Sequence, residues 1–121
     1  MNCRNLPMPS YQPAKLLRLL ITERDRFQGK PLYEAVVEKC RELNIAGATV
    51  FRGLEGYGDT AEIHRSHGLR HDLPVSVQIV DTAENIQRLL PVLENMIDKG
   101  LIAISDVSVI RIQKTAGVPN C

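Results

Sequence analysis

Gly29–His64, GKPLYEAVVEKCRELNIAGATVFRGLEGYGDTAEIH, is the stretch whose reading decides the fold of this chain. Lys30 and Pro31 open a helix, because proline suits a first helical position, where its missing N–H would be unpaired anyway. Leu32, Tyr33, Val36, Val37, Cys40 and Leu43 then recur at three- and four-residue spacing and form one apolar stripe. Asn44 marks the stop. Ala48, Val50 and Leu54 alternate with Thr49, Phe51 and Gly53 as in a half-buried strand. Gly53, Gly56 and Gly58 show where that strand bends or leaves its sheet, and a loop launched in this way is where function is sought.

Outward from that stretch the same theme appears on both sides. Lys15–Thr22 reads as a strand with Leu17, Leu19 and Ile21 on one face and Leu16 and Leu20 flanking Arg18 on the other. Glu23–Gln28 reads as a charged connection into the helix. Downstream, Asp59–Asp72 is polar and rich in histidine, and Leu73–Val80 is a strand with Val75, Val77 and Ile79 on one face. Asp81 is expected to cap a second helix, with Glu84 completing a capping box. Ile86, Leu89, Leu90, Leu93, Met96 and Ile97 supply its apolar stripe, Pro91 is expected to bend it, and Gly100 to end it. A short apolar run, Leu101–Ile104, precedes a last strand at Val107–Ile112.

The order β-α-β-β-α-β predicts an α+β, ferredoxin-like domain over 14–113, a four-stranded antiparallel sheet with two helices on one face. An irregular leader, 1–13, precedes it, and a tail, 114–121, follows. The uncovered sheet face would carry Leu16, Leu20, Val80 and the outward-pointing members of Phe51, Ile110 and Ile112. An apolar face of that size points to self-association.

Composition narrows the class. Fifteen basic against fourteen acidic residues leave a formal +1, so no global field recruits nucleic acid or membrane. Aromatic residues make up 4% of the chain and tryptophan is absent, which argues against stacking platforms for nucleic acid. Cys3, Cys40 and Cys121 are an odd set without a C-x-x-C pair, which favours a reducing compartment. No apolar run reaches the roughly 20 residues of a membrane span. The proline-rich start MNCRNLPMPSYQPAK lacks the apolar core of a secretory signal. A cytoplasmic protein is the expectation.

At Gly47-Ala48-Thr49-Val50 the sequence resembles the PII signalling proteins, trimeric ferredoxin-like regulators with a similar strand leading through paired glycines into a long loop. VIRI at Val109–Ile112 is similar to their end strand, whose arginine reaches a bound nucleotide phosphate. A closer resemblance, over about Leu16 to Ile112, is to a PII-like family catalogued as domain of unknown function 190. Its phrases GKPLYEA, AGATV-x-RG-x-x-G-[YF]-G, IH and DLPV match Gly29–Ala35, Ala46–Gly58, Ile63-His64 and Asp72–Val75 nearly letter for letter. Two features depart from PII itself. DKGLIAIS at Asp98–Ser105 has one lysine and one glycine where PII wraps a triphosphate, and Asp59–Asp72 lacks the tyrosine that some PII proteins modify.

The resemblance implies a homotrimer that binds a small anionic metabolite, an adenine nucleotide being one candidate, at subunit clefts. Gly47 and Thr49 would meet a base or ribose, Arg111 would pair with a phosphate, and Lys114 lies within reach in sequence. Lys30, at a helix start that attracts anions, and Arg52, Gly56, Gly58 and His64, around the loop, complete the candidate ligand set. The family's genes lie near a small fluoride-exporting membrane protein, so a membrane transporter is a candidate partner. The rival readings are a ligand-free trimeric adaptor of a membrane transporter and a divalent metal held by His64, His67 and His71, whose spacing would put them on one face of a helix. No convincing nucleophile and base stand together. Cys40 lies on an apolar stripe, so no catalytic residue and no enzyme activity are expected.

Overall fold

The computed structural model describes residues 10–57, 63–65 and 72–113. The chain forms β1 (Gln12–Thr22), β2 (Arg26–Phe27), β3 (Lys30–Pro31), α1 (Leu32–Glu42), β4 (Ala48–Arg52), β5 (Glu55–Gly56), β6 (His64–Arg65), β7 (Pro74–Asp81), α2 (Ala83–Met96) and β8 (Leu101–Val109). The main sheet runs β4-β7-β1-β8, antiparallel throughout, so the expected α+β ferredoxin-like arrangement is present. Register explains the core. Leu17 opposes Ile79, Leu19 opposes Val77 and Ile21 opposes Val75, all on the helix side and all buried. Val36 and Cys40 of α1 and Leu89 and Leu93 of α2 close over them. Each fully buried aliphatic side chain here contributes on the order of 2 kcal/mol.

The helix ends are set by local chemistry. Asn44, at φ 58°, takes the left-handed position after α1. Its N–H donates to Arg41 O at 3.1 Å and that of Ile45 to Cys40 O at 2.9 Å, the paired bonds of a Schellman stop. Asn44→Ala should therefore cost about 1 kcal/mol, and Asn44→Gly nothing. Urea unfolding of the two variants checks this.

At α2 the sequence expectation is corrected. Thr82, not Asp81, is the N-cap, with its side chain accepting from Asn85 N–H at 3.2 Å, so Glu84 forms no capping box. The helix continues through Pro91 and stops at Ile97, before Gly100. Gly100 serves a close approach instead, since a Cβ there would lie 3.1 Å from Ile21 Cγ2 and 3.2 Å from Leu20 O. Pro31 is the N-cap of α1 and lies in a small ribbon with Arg26–Phe27, closed by Gln28 and Gly29 at φ 49° and 83°. The charged connection is thus a hairpin, which a glutamine in a left-handed position does not advertise.

The last strand also differs. It spans Leu101–Val109, and Ile110–Gln113 lie outside it. β1 begins at Gln12, whose partner is Val109, so the residues beyond have no β1 backbone to pair with. On the open face Leu16 opposes Val80 and Ser105, Leu20 opposes Ser76 and Leu101, and Phe51 opposes Ser76. Leu20, Phe51, Val80 and Leu101 are 43, 50, 38 and 61% exposed. Among the described residues no helix covers this face.

Candidate ligand site

Gly47 and Thr49 sit at the start of edge strand β4, and what holds them there is a network on the first turn of α2. Asp81 Oδ2 accepts the Ala46 N–H at 2.8 Å, while Oδ1 accepts the Thr82 N–H at 2.7 Å and the Asn85 side-chain amide at 3.0 Å. Arg88 donates to Leu43 O at 2.9 Å and to Asn85 Oδ1 at 3.2 Å. The turn 43–47 is thereby fastened at both ends. Asp81 is 9% exposed, and that desolvation raises its pKa. The bonds from Ala46, Asn85 and Thr82 and the Arg88 charge outweigh it, so the carboxyl titrates below its ordinary value.

Beside this turn lies a groove of about 410 Å³ lined by Val37, Cys40, Arg41, Asn44, Ile45, Ala46, Gly47 and Ala48. That volume falls in the range of small-molecule sites. Burial pushes the Cys40 thiol up to about 11, so it offers an apolar wall rather than a nucleophile. Thr49 is exposed on the open face, where it pairs with Gln78, which in turn pairs with Arg18. A second groove, about 190 Å³, has Glu94, Asp98 and Lys99 in its lining. Two carboxylates against one ammonium do not make a triphosphate clamp.

The remaining candidates fall elsewhere. Lys30 Nζ bonds Glu38 Oε2 at 2.6 Å, and that bond, with the Glu38 charge, raises its pKa. Arg52, at the far end of β4, pairs through Nε with Glu23 Oε1. Gly56 is the register partner of His64, which brings two candidates together on a second ribbon. Arg111 is exposed beyond β8, on the edge opposite β4. Gly58, His67, His71 and Lys114 lie outside the described residues. Among the described residues no group of three metal-ligating side chains occurs. The sequence reading missed Asp81, Asn85, Arg88 and Arg41. The cap-like position of Asp81 was legible, but its bond to Ala46 across 35 residues was not.

Residues 14–109 match the family DUF190, described as an uncharacterized ACR. The chain belongs to this family. A UPF0166 protein of Aquifex aeolicus (strain VF5) is 45% identical over 98 residues, 79% of this chain and 92% of that protein. One from Methanocaldococcus jannaschii is 39% identical over 99 residues, covering 79% and 91%. In structure the DUF190 chain resembles CPII, a nitrogen regulatory PII-like protein from Thiomonas intermedia K12 solved with ADP, AMP and bicarbonate. The TM-score is 0.64 at 18% identity, over 86% of this chain and 94% of CPII. It also resembles the divalent ion tolerance protein CutA1 from Ehrlichia chaffeensis, at TM-score 0.52, 14% identity and 85% of each chain. At these identities the likeness establishes the PII-like fold. No described helix is long and apolar enough to cross a membrane.

Proposed function

We propose that this DUF190 protein is a PII-like regulator that binds a small anionic metabolite, with an adenine nucleotide as the leading candidate, between the subunits of a homotrimer. The observation that carries the reading is the separation of its candidate contacts. Gly47 and Thr49 lie at edge strand β4, and Arg111 follows the opposite edge strand β8, with β7 and β1 between. Three strand spacings across the sheet, about 14 Å, and an offset along it of the eight residues from Ala103, level with Thr49 in the register, to Arg111 keep them apart within one chain. One ligand touches both only where the β8 edge of one copy meets the β4 edge of another. The uncovered apolar face favours such assembly, and CPII, of the same fold, was solved with ADP and AMP.

In this reading the segment between β4 and β7 reports occupancy to a cytoplasmic partner, with the regulated face of a membrane transporter as one candidate. The ligand must prefer one conformation of that segment, since equal affinity for both shifts nothing. The role is regulatory rather than catalytic. Thermal shift with AMP, ADP, ATP, cyclic nucleotides and zinc, repeated on Arg111→Ala, tests it. At about 100 times its dissociation constant a nucleotide should stabilise the wild type by roughly 2.7 kcal/mol, and the variant far less. A shift with zinc alone moves the site to His64, His67 and His71, and no shift with any nucleotide sinks the sensor reading.

A further inference from the structure

Glu23 stands where three strands converge. It follows β1 directly, and its N–H donates to Leu73 O at 3.0 Å. Its carboxylate then reaches both stems of the segment joining β4 to β7. Oε1 takes Arg52 Nε on the outgoing stem, and Oε2 accepts the Leu73 N–H at 3.4 Å on the returning stem. The Glu23 side chain is 12% exposed against 58% for Arg52, so the carboxylate is largely withdrawn from water and needs both partners. Its own position is fixed by the turn that follows, where Asp25 Oδ2 accepts the Thr22 N–H at 2.8 Å and Asp25 O accepts the Leu32 N–H at 2.8 Å.

The β4–β7 ladder ends at the Arg52–Val75 pair. Beyond it, the Gly53 N–H to Pro74 O bond, 2.7 Å, is the next backbone link between the stems. Backbone there is packed tightly, since a Cβ on Gly53 would lie 2.7 Å from Pro74 Cγ. Just past this neck the β5–β6 ribbon pairs Gly56 with His64.

We propose that Glu23 is the positioning residue for this neck, one carboxylate that clamps both stems and so sets where Gly56 and His64 stand. The inference deepens the ligand reading by naming what positions the loop-borne candidates, yet it concerns the free protein. Glu23 neutralises Arg52, so an anion arriving at that guanidinium competes with the carboxylate that holds the returning stem.

Amide exchange measured by NMR on the ligand-free protein decides the matter, so the result stands apart from any failure to bind nucleotide. The Leu73 N–H is bonded to Glu23, not to Arg52. A clamp nevertheless predicts that Arg52→Gln speeds Leu73 exchange about tenfold, the scale of one hydrogen bond to a charged group. Glu23→Ala should do the same at Leu73 and Gly53, and the double variant should be no faster than Glu23→Ala alone. The Leu19 and Val77 amides, in the sheet centre, should keep their rates. Unchanged Leu73 exchange in Arg52→Gln, additive effects in the double variant, or equal acceleration at Leu19 and Val77 would each overturn the proposal.

Discussion

Replacing Leu20 with glutamate should convert the proposed homotrimer into monomers whose circular dichroism is that of the wild type. Leu20 lies on the open face of central strand β1, near one end of the sheet, opposite Leu101 on one side and Ser76 on the other, and is 43% exposed in the single chain. In the monomer a glutamate there keeps its water, so the fold is spared. In an assembly that closes this face, every copy would bury an unpaired carboxylate at a cost of several kcal/mol. Each 1.4 kcal/mol is tenfold in association, so the constant should fall by more than about a thousandfold. Light scattering coupled to size exclusion at micromolar concentration reads the outcome directly. Persistence of the wild-type mass would place the interface elsewhere than on this face.

Asp81→Ala should act on the single chain instead. It strips the acceptor from the Ala46 and Thr82 N–H groups and the Asn85 amide. Water reaches part of this region, so the expected loss is about 2–3 kcal/mol, not the sum over three buried donors. In a domain of this size that is a fall of roughly 10 °C in melting temperature. The turn carrying Gly47 loses one of its two fastenings as well, so under the proposed function nucleotide affinity should fall further than that of a variant equally destabilised in the core, such as Leu93→Ala.

The pH dependence follows from the direction of the shift. The folded pKa of Asp81 lies below its unfolded value, so its contribution is complete above about pH 4 and is lost as pH falls through the folded value. Wild type minus Asp81→Asn stability, measured from pH 7 to pH 2, should therefore be flat at first and shrink below about pH 4. A difference that holds constant to pH 2 would show that the bonds to Ala46 and Asn85 do not depend on the charge.

How far these features could be read in advance depended on the range of the interaction. Leu17, Leu19 and Ile21 alternate within one strand, and Ile86, Leu89 and Leu93 recur within one helix, so both elements and their buried faces were legible. The end of β8 was not. Leu101–Ile112 stays apolar enough for a strand at either end, and its true limit is set by where β1 begins, at Gln12, far away in sequence. Asn44 carried its own stop signal, whereas Thr82 and Asp81 are both good caps, and the backbone bond from Ala46 reserved the aspartate for another task. Arg52 looked like a cation awaiting an anion. Its partner, Glu23, is 29 positions away, and only the convergence of β1, β4 and β7 brings them together. Candidate ligand residues named from resemblance thus kept their neighbourhood in the chain but not always their freedom.

The placement of β1 between β7 and β8 has a consequence for how this chain is made. Gln12–Thr22 leaves the ribosome well before either of its hydrogen-bonding neighbours, Pro74–Asp81 and then Leu101–Val109. The nascent chain must therefore carry Leu17, Leu19 and Ile21 without strand partners until β7 has been made, and the sheet closes only once β8 has emerged. Long-range pairings of this kind fold slowly and leave the precursor exposed to aggregation. Cellular yield should accordingly respond to chaperone supply and growth temperature more than the stability of the finished domain would suggest.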